Sequence, residues 1–191
     1  MRAVDPRPAR TRAAILRAVE SLIATESTVS ISAVVEIAGI TRNTFYSQFA
    51  DIDDLAFTVL TDEFHTIGAD DIALRQSTNP DERQIARRAA TRLVDHIDRR
   101  RLFYKSSLEW RVSARAHGTL ATAFADQVSA SIAIMGDRVP PAHRDGFTAR
   151  YIGGGAMALI TAWLQDENPM AASEMAERLL AAMPEWLVGP E

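Results

Sequence analysis

The segment SISAVVEIAGITRNTFYSQF, residues 30 to 49, determines the fold prediction for this chain. Its apolar positions have the spacing of two short helices. Gly39 lies between the helices, where the chain needs a residue that tolerates a left-handed turn. Ser30 and Thr41 each precede a helix and can accept a hydrogen bond from a free amide of its first turn. The segment therefore predicts a helix-turn-helix.

The second of these helices is short and carries many hydrogen-bonding side chains. Phe45 and Phe49 are four residues apart, so both are expected on its buried face. A helix of this composition suits the DNA major groove, where base edges and phosphates supply hydrogen-bond partners. The predicted DNA-binding residues are Ser30, Thr41, Arg42, Asn43, Thr44, Tyr46, Ser47 and Gln48.

The segment resembles the N-terminal DNA-binding domain of TetR-type (TetR/AcrR family) transcriptional repressors. The resemblance rests on the turn AGIT at 38–41, the triplet TFY at 44–46, Phe49, and Leu55 at the start of a fourth helix. It covers roughly residues 10 to 56, and the remainder of the chain fits the family through its length and helical pattern.

The resemblance also implies roles for individual side chains. Thr44 and Tyr46 match positions that contact phosphates, and Ser30 is a third candidate for such a contact. The base-facing candidates are Arg42, Asn43, Ser47 and Gln48. One position departs from the family's pattern, because Ile52 stands where a phosphate-binding lysine is often found.

The remaining sequence predicts an all-α protein of about nine helices, since apolar residues recur at helical spacing and no segment alternates as a strand does. We expect an arm and helix-turn-helix domain at residues 1–54 and a larger helical effector-binding and dimerisation domain at residues 55–191. Residues 1–8 are predicted to be a flexible arm whose arginines could reach a minor groove or stay in solvent. The later helices are predicted from the Asn79-Pro80 start to about 100, then within 102–111, 114–135, 142–165 and 169–183.

Composition and motifs disfavour several function classes. The chain has no cysteine, and its 191 residues carry a net charge of −4. No nucleophile elbow, phosphate loop or HExxH motif occurs, so we expect neither an enzyme nor a cofactor nor a metal site. The N-terminal stretch MRAVDPRPAR lacks the apolar core of a signal peptide. The uncharged run at 151–165 is too short to span a bilayer. These features predict a cytoplasmic protein with no membrane partner.

Family members usually enclose a small effector among the helices that follow the DNA-binding domain. Aromatic residues with a few polar groups are typical of such pockets. The alternative is that these aromatic side chains only fill the core. The predicted effector-binding residues are Phe64, His65, Phe103, Tyr104, Trp110, Phe124 and Tyr151.

Three consecutive glycines, Gly153 to Gly155, lie within the predicted eighth helix. Each costs about 1 kcal/mol relative to alanine there. Close backbone approach can offset that cost, either across a homodimer interface or against a neighbouring helix of the same subunit. The resemblance implies a dimer formed by the last two long helices, with Gly153, Gly154, Ala156, Leu159, Ile160, Trp163, Met175, Leu179 and Met183 at the interface.

The resemblance implies a ligand-responsive repressor. It would bind a palindromic DNA operator as a homodimer, and a small-molecule effector would release it. The alternative is a helical small-molecule-binding or scaffolding protein that no longer reads DNA. The acidic net charge and the isoleucine at position 52 favour this alternative.

Overall fold

A computed structural model describes residues 7–77, 80–109 and 114–190, apart from the side chains of 106–109, 114–117 and 119. Most of the described residues lie in helices, and the described residues contain no strand. The predicted all-α class is confirmed.

Ten α-helices and two 3₁₀ turns lie within the described residues. In order they are α1 (Arg7–Ala24), α2 (Ile31–Ala38), α3 (Arg42–Tyr46), α4 (Ile52–Arg75), α5 (Glu82–Arg99), α6 (Arg101–Glu109), α7 (Ala114–Met135), the turns Gly136–Arg138 and Pro141–His143, α8 (Phe147–Gln165), α9 (Ala172–Ala181) and α10 (Glu185–Val188).

The described residues of Met1–Val59 and Arg100–Arg111 form one compact unit. Within it α1 packs on α2 and α2 on α3. Val34 and Leu55 are completely buried, as expected for apolar residues at helical spacing. Arg100, just before α6, is paired with Glu20 of α1 at 2.7 Å.

The start of α1 corrects one sequence prediction. Helix α1 begins at Arg7, so Arg7 and Pro8 belong to a helix and not to a flexible arm. A proline fits there because the first helical turn has no partner for its backbone nitrogen. Arg12 also lies on this helix, where its guanidinium carbon is 5.0 Å from the centroid of the Phe49 ring. Residues 1–6 lie outside the described part of the chain.

Leu60–Arg99 and the described residues of Val112–Glu191 form a second compact unit. Helix α7 packs against α8, while α9 and α10 pack against α5. The buried residues of this second unit include Leu93, Val128 and Ile160. The border between the two units falls inside α4, and the described residues of 100–111 belong to the first unit. The sequence prediction had placed all of 55–191 in one domain.

Several helix boundaries differ from the predicted ones for local reasons. Helix α5 begins at Glu82 because Asp81 is its cap, accepting a hydrogen bond from the Gln84 amide at 2.9 Å. The predicted cap, Asn79, lies outside the described residues. Helix α8 begins at Phe147, later than predicted, after Gly146 takes a left-handed φ of 80°. Helix α7 has the predicted bounds.

None of the described helices is long and apolar enough to cross a lipid bilayer.

Candidate nucleic-acid interface and ligand cavity

Ser30 is the cap of α2, as predicted. Its backbone is extended, with φ −131° and ψ 158°, and its Oγ accepts a hydrogen bond from the Ala33 amide at 3.3 Å. The side chain is exposed, and this cap uses the hydroxyl only as an acceptor. Its proton can therefore be donated to an acceptor outside the protein, such as a phosphate oxygen.

The turn between α2 and α3 depends on Gly39. Its φ of 64° and ψ of 36° are left-handed, and the following amide of Ile40 donates to the Val35 carbonyl at 3.0 Å. A side-chain carbon at Gly39 would meet no described atom within 4 Å. The glycine is therefore required by its backbone conformation and not by lack of space.

Thr41 is the cap of α3, again as predicted. Its Oγ1 accepts a hydrogen bond from the Thr44 amide at 3.1 Å. The hydroxyls of Thr41 and Thr44 lie 2.9 Å apart, so one of them donates to the other. The pair retains one hydroxyl proton that an external acceptor can take.

Two phenylalanines hold α3 in place from beneath. Phe45 is completely buried, Phe49 nearly so, and their ring centroids are 5.8 Å apart. The Tyr46 ring meets the Phe45 ring edge-on, at 5.7 Å and 87°. Tyr46 is nevertheless about half exposed, at 52%. One side of this short helix is thus anchored in the core while the tyrosine extends outward.

Helix α3 ends at Tyr46, so Ser47 and Gln48 lie in the turn that follows it, and the polar side chains of the helix and the turn face solvent to different degrees. Arg42, Asn43 and Ser47 are exposed, whereas Gln48 is half-buried. Ser47 donates to the Thr44 carbonyl at 2.7 Å, and Gln48 Nε2 donates to Ser47 Oγ at 3.4 Å. These contacts are local and exposed, so exchanging them for contacts to DNA costs little free energy.

Arg42 has a partner that sequence reasoning missed. Its Nη2 donates to Ser32 Oγ in the first turn of α2 at 2.6 Å. Ser32 is exposed, and ten residues separate the pair in the chain. No sequence pattern indicated this contact, because it depends on how α2 and α3 are oriented at the Gly39 turn.

The first turn of α4 is acidic. Asp51 Oδ1 accepts from the Asp54 amide at 2.8 Å and so caps the helix, and Asp54 Oδ2 accepts from the Ala50 amide at 2.9 Å. Burial, and secondarily the charge of Asp51, raises the pKa of Asp53. Ile52 is half-buried among these carboxylates. This turn therefore carries negative charge and no basic side chain.

The second unit contains a mostly apolar cavity of about 90 Å³. Side chains from α4, α5, α7, α9 and α10 line it, and Phe64 and Phe124 meet there edge-to-face with their centroids 5.7 Å apart. Four polar residues also contribute to the lining: Asp71, Arg75, Gln127 and Ser131.

Three of those polar residues form a buried network. Arg75 Nε donates to Asp71 Oδ2 at 2.7 Å, and Ser131 Oγ donates to the same carboxylate at 2.9 Å. Arg75 also pairs with Glu82 and donates to the Leu187 carbonyl at 3.2 Å. Buried charges of this kind are tolerated because each has partners.

Only part of the predicted effector-binding set lies at this cavity. Phe64 and Phe124 line it, but His65 does not and is exposed, because the next residue of a helix is turned by about 100°. Phe103 and Tyr104 are buried in α6 of the first unit, and Tyr151 is 81% exposed on α8. Trp110 lies outside the described residues.

The residues predicted for the dimer interface also differ in how exposed they are within one chain. A side-chain carbon at Gly153 would lie 2.5 Å from the Ala121 carbonyl oxygen, so this glycine lets α8 approach α7 within one subunit. Gly154 is exposed and would meet no described atom. Leu159 and Met183 are half-buried. The others are already buried within the chain: Ala156, Ile160, Trp163, Met175 and Leu179.

The sequence analysis does not predict which face of α8 is exposed to solvent. Phe147 and Tyr151, one helical turn apart, are 74% and 81% exposed. A groove beside them is lined by Gly155, Leu159 and Met183, among others. Phe147 could have been identified from the sequence by its four-residue spacing from Tyr151.

The described residues contain no group of three or more potential metal ligands. Comparison of the chain with protein-family models finds no match, and comparison with curated proteins finds none either.

Proposed function

We propose that this protein is a transcriptional regulator that binds an operator through α3 and is released from it by a small-molecule effector. The observation that carries the proposal is the two-sided character of α3. Arg42 and Asn43 are exposed on this helix and Ser47 is exposed just after it, while Phe45 is completely buried. Major-groove recognition requires a rigid helix whose exposed polar side chains are uncharged or basic.

The side chains divide by chemistry into base readers and phosphate contacts. Arg42 prefers the O6 and N7 atoms of guanine, and Asn43 and Gln48 prefer adenine. The hydroxyls of Ser30 and Tyr46 suit phosphate oxygens, which set the register of the protein on DNA without reading sequence. The resemblance of residues 10 to 56 to TetR-type repressors supports the same division.

The exposed face of α8 supports a homodimer. Phe147 and Tyr151 are two largely exposed aromatic side chains one helical turn apart, and contiguous exposed apolar surface often marks a protein–protein contact. The open positions Gly154 and Gly155 would let a second copy approach the helix backbone closely. A symmetric dimer would carry two copies of α3 to successive major grooves of a palindromic operator, about 34 to 36 Å apart.

The cavity of the second unit is the proposed effector site. Its lining is apolar with a few polar groups, as small-molecule sites usually are. An effector would release DNA only if it bound the DNA-free conformation more tightly than the DNA-bound one.

A second function is favoured by one specific observation. Asp51, Asp53 and Asp54 place three carboxylates directly after α3, and Ile52 adds no cation among them. Such a turn repels phosphates. The second candidate is therefore a helical small-molecule-binding protein that does not bind DNA.

A mobility-shift experiment separates the two. The wild-type protein is titrated onto its own upstream DNA and onto random DNA of equal length, between about 50 and 200 mM salt. The regulator is expected to prefer the upstream DNA and to lose affinity steeply with salt. Arg42→Ala should abolish the preference, and Arg88→Ala, an exposed arginine of the second unit, should keep it. No preference by the wild-type protein would support the second candidate.

A further inference from the structure

The carboxamide of Gln127 is the one polar group at the cavity whose donor is unused. Its Nε2 is buried and has no hydrogen-bond partner among the described residues. A buried donor without an acceptor lowers stability, so such groups are rare in folded proteins. Gln127 belongs to the cavity lining, and its carboxamide is the end of a flexible side chain that lies against Gly68, so a turn of that side chain can present the unused donor to a bound molecule.

Gly68 of α4 makes room for this carboxamide. A side-chain carbon at position 68 would lie 1.8 Å from Gln127 Oε1 and 2.3 Å from Nε2, far inside contact distance. Glycine within a helix is unfavourable relative to alanine. Its presence here therefore leaves the space beside α4 that the Gln127 carboxamide occupies.

The charged groups of the cavity are already neutralised. Asp71 is paired with Arg75, Glu82 with both Arg75 and Arg138, and Ser131 donates to Asp71. Two carboxylates and two guanidinium groups leave this network with no net charge. A charged ligand would lose its hydration and find no unpaired opposite charge, which disfavours its binding.

We infer that the cavity binds a small uncharged molecule with a single hydrogen-bond acceptor, which accepts from Gln127 Nε2. The inference rests on the proposed function, in which this cavity is the effector site. Its volume of about 90 Å³ is well below the 300 to 1,000 Å³ of drug-sized pockets and nearer to the roughly 150 Å³ cavity that holds benzene. The ligand is thus no larger than about one ring, with an acceptor such as a ketone or ether oxygen.

Three probes of equal heavy-atom count test this ligand class: cyclohexanone, methylcyclohexane and cyclohexylammonium. Dissociation constants are measured on the protein alone by ¹H–¹⁵N NMR, which also reports the side-chain amide signal of Gln127. Cyclohexanone is expected to bind and to shift that amide signal. Cyclohexylammonium is expected not to bind at concentrations where cyclohexanone saturates the site.

Substitution of the donor isolates the hydrogen bond. Gln127→Leu should weaken cyclohexanone roughly three- to tenfold, the range for one neutral hydrogen bond, and leave methylcyclohexane within about twofold. Gly68→Ala should weaken cyclohexanone as well, because its methyl group takes the place of the carboxamide. If Gln127→Leu does not fold, Gly68→Ala tests the role of the carboxamide in its place. Gln84→Leu, an exposed glutamine of α5, is the matched control and should change neither constant.

Three results would overturn the inference: equal effects of Gln127→Leu on cyclohexanone and methylcyclohexane, binding of cyclohexylammonium as tight as that of cyclohexanone, or no binding by any probe. The proposed regulatory function is measured separately by the mobility shift without probe. Loss of operator preference with intact cyclohexanone binding would refute the regulator alone, and the reverse result would refute the ligand class alone.

Discussion

Arg42 of α3 donates a hydrogen bond from Nη2 to Ser32 Oγ of α2 across 2.6 Å. Both residues are exposed, so the bond is worth only about 0.5 to 1.5 kcal/mol and can be exchanged for a base contact. While it lasts, it restricts a long side chain that would otherwise sample many rotamers. Ser32 thus orients Arg42 at the start of the proposed recognition helix.

Arg42→Ala should weaken binding to the operator by about 1 to 3 kcal/mol and binding to random DNA by much less, because a base contact is lost. Ser32→Ala should also weaken binding to the operator more than binding to random DNA. Its effect should be smaller than that of Arg42→Ala, since Arg42 remains. Mobility shifts on both DNAs measure this, with Arg88→Ala as the control. Equal losses on both DNAs for Arg42→Ala would remove Arg42 from the base-reading set.

Tyr46→Phe should weaken operator and random DNA by about the same factor. The hydroxyl is the only group removed, and a phosphate contact carries no sequence information. The ring still packs against Phe45, so the fold should be kept. Circular dichroism checks the fold, and a loss confined to the operator would contradict the phosphate role.

Ile52→Lys should raise affinity for any DNA. It supplies the cation that the acidic first turn of α4 lacks, beside Asp51 and Asp53. One added phosphate contact should steepen the slope of log affinity against log salt by about 0.9. Ile52→Gln is the uncharged control. An unchanged salt slope would place position 52 away from the DNA.

Gly153→Ala and Gly154→Ala should change stability in opposite directions. The new methyl group at 153 would lie 2.5 Å from the Ala121 carbonyl oxygen, and such overpacking costs about 1 to 3 kcal/mol. At 154 no described atom of the same subunit is within 4 Å, so the helix gains up to about 1 kcal/mol when both variants are made in the Tyr151→Glu background, where no second copy packs on α8. Thermal unfolding of the two variants measures the difference. A stable Gly153→Ala protein would disprove the close approach of α7 and α8.

Tyr151→Glu should convert the protein to monomers and weaken operator binding, since a charge would be buried in the proposed interface and one copy makes half the DNA contacts. Leu102→Glu, an equally drastic change at an exposed leucine of α6, is the control and should stay dimeric. Analytical ultracentrifugation measures the mass. A dimeric Tyr151→Glu protein would place the interface elsewhere.

The sequence by itself determined those features that depend on neighbouring residues. Ser30 and Thr41 are the helix caps that their side chains predict, and Gly39 has the left-handed backbone that the turn requires. Caps and turns form between residues three or four positions apart, so their chemistry is visible in a short stretch of sequence. The all-helical class was predictable for the same reason, because helical spacing is a local pattern.

Only the tertiary structure decided which of the predicted residues lie together. Phe64 and Phe124 share the cavity, whereas Phe103 and Tyr104 lie in a different compact unit. Gly153 packs against α7 while the adjacent Gly154 is open to solvent. Asp71 and Ser131 meet although 60 residues separate them. Such relationships depend on how helices pack across long distances in the chain, and that packing is set by the shapes of many side chains at once.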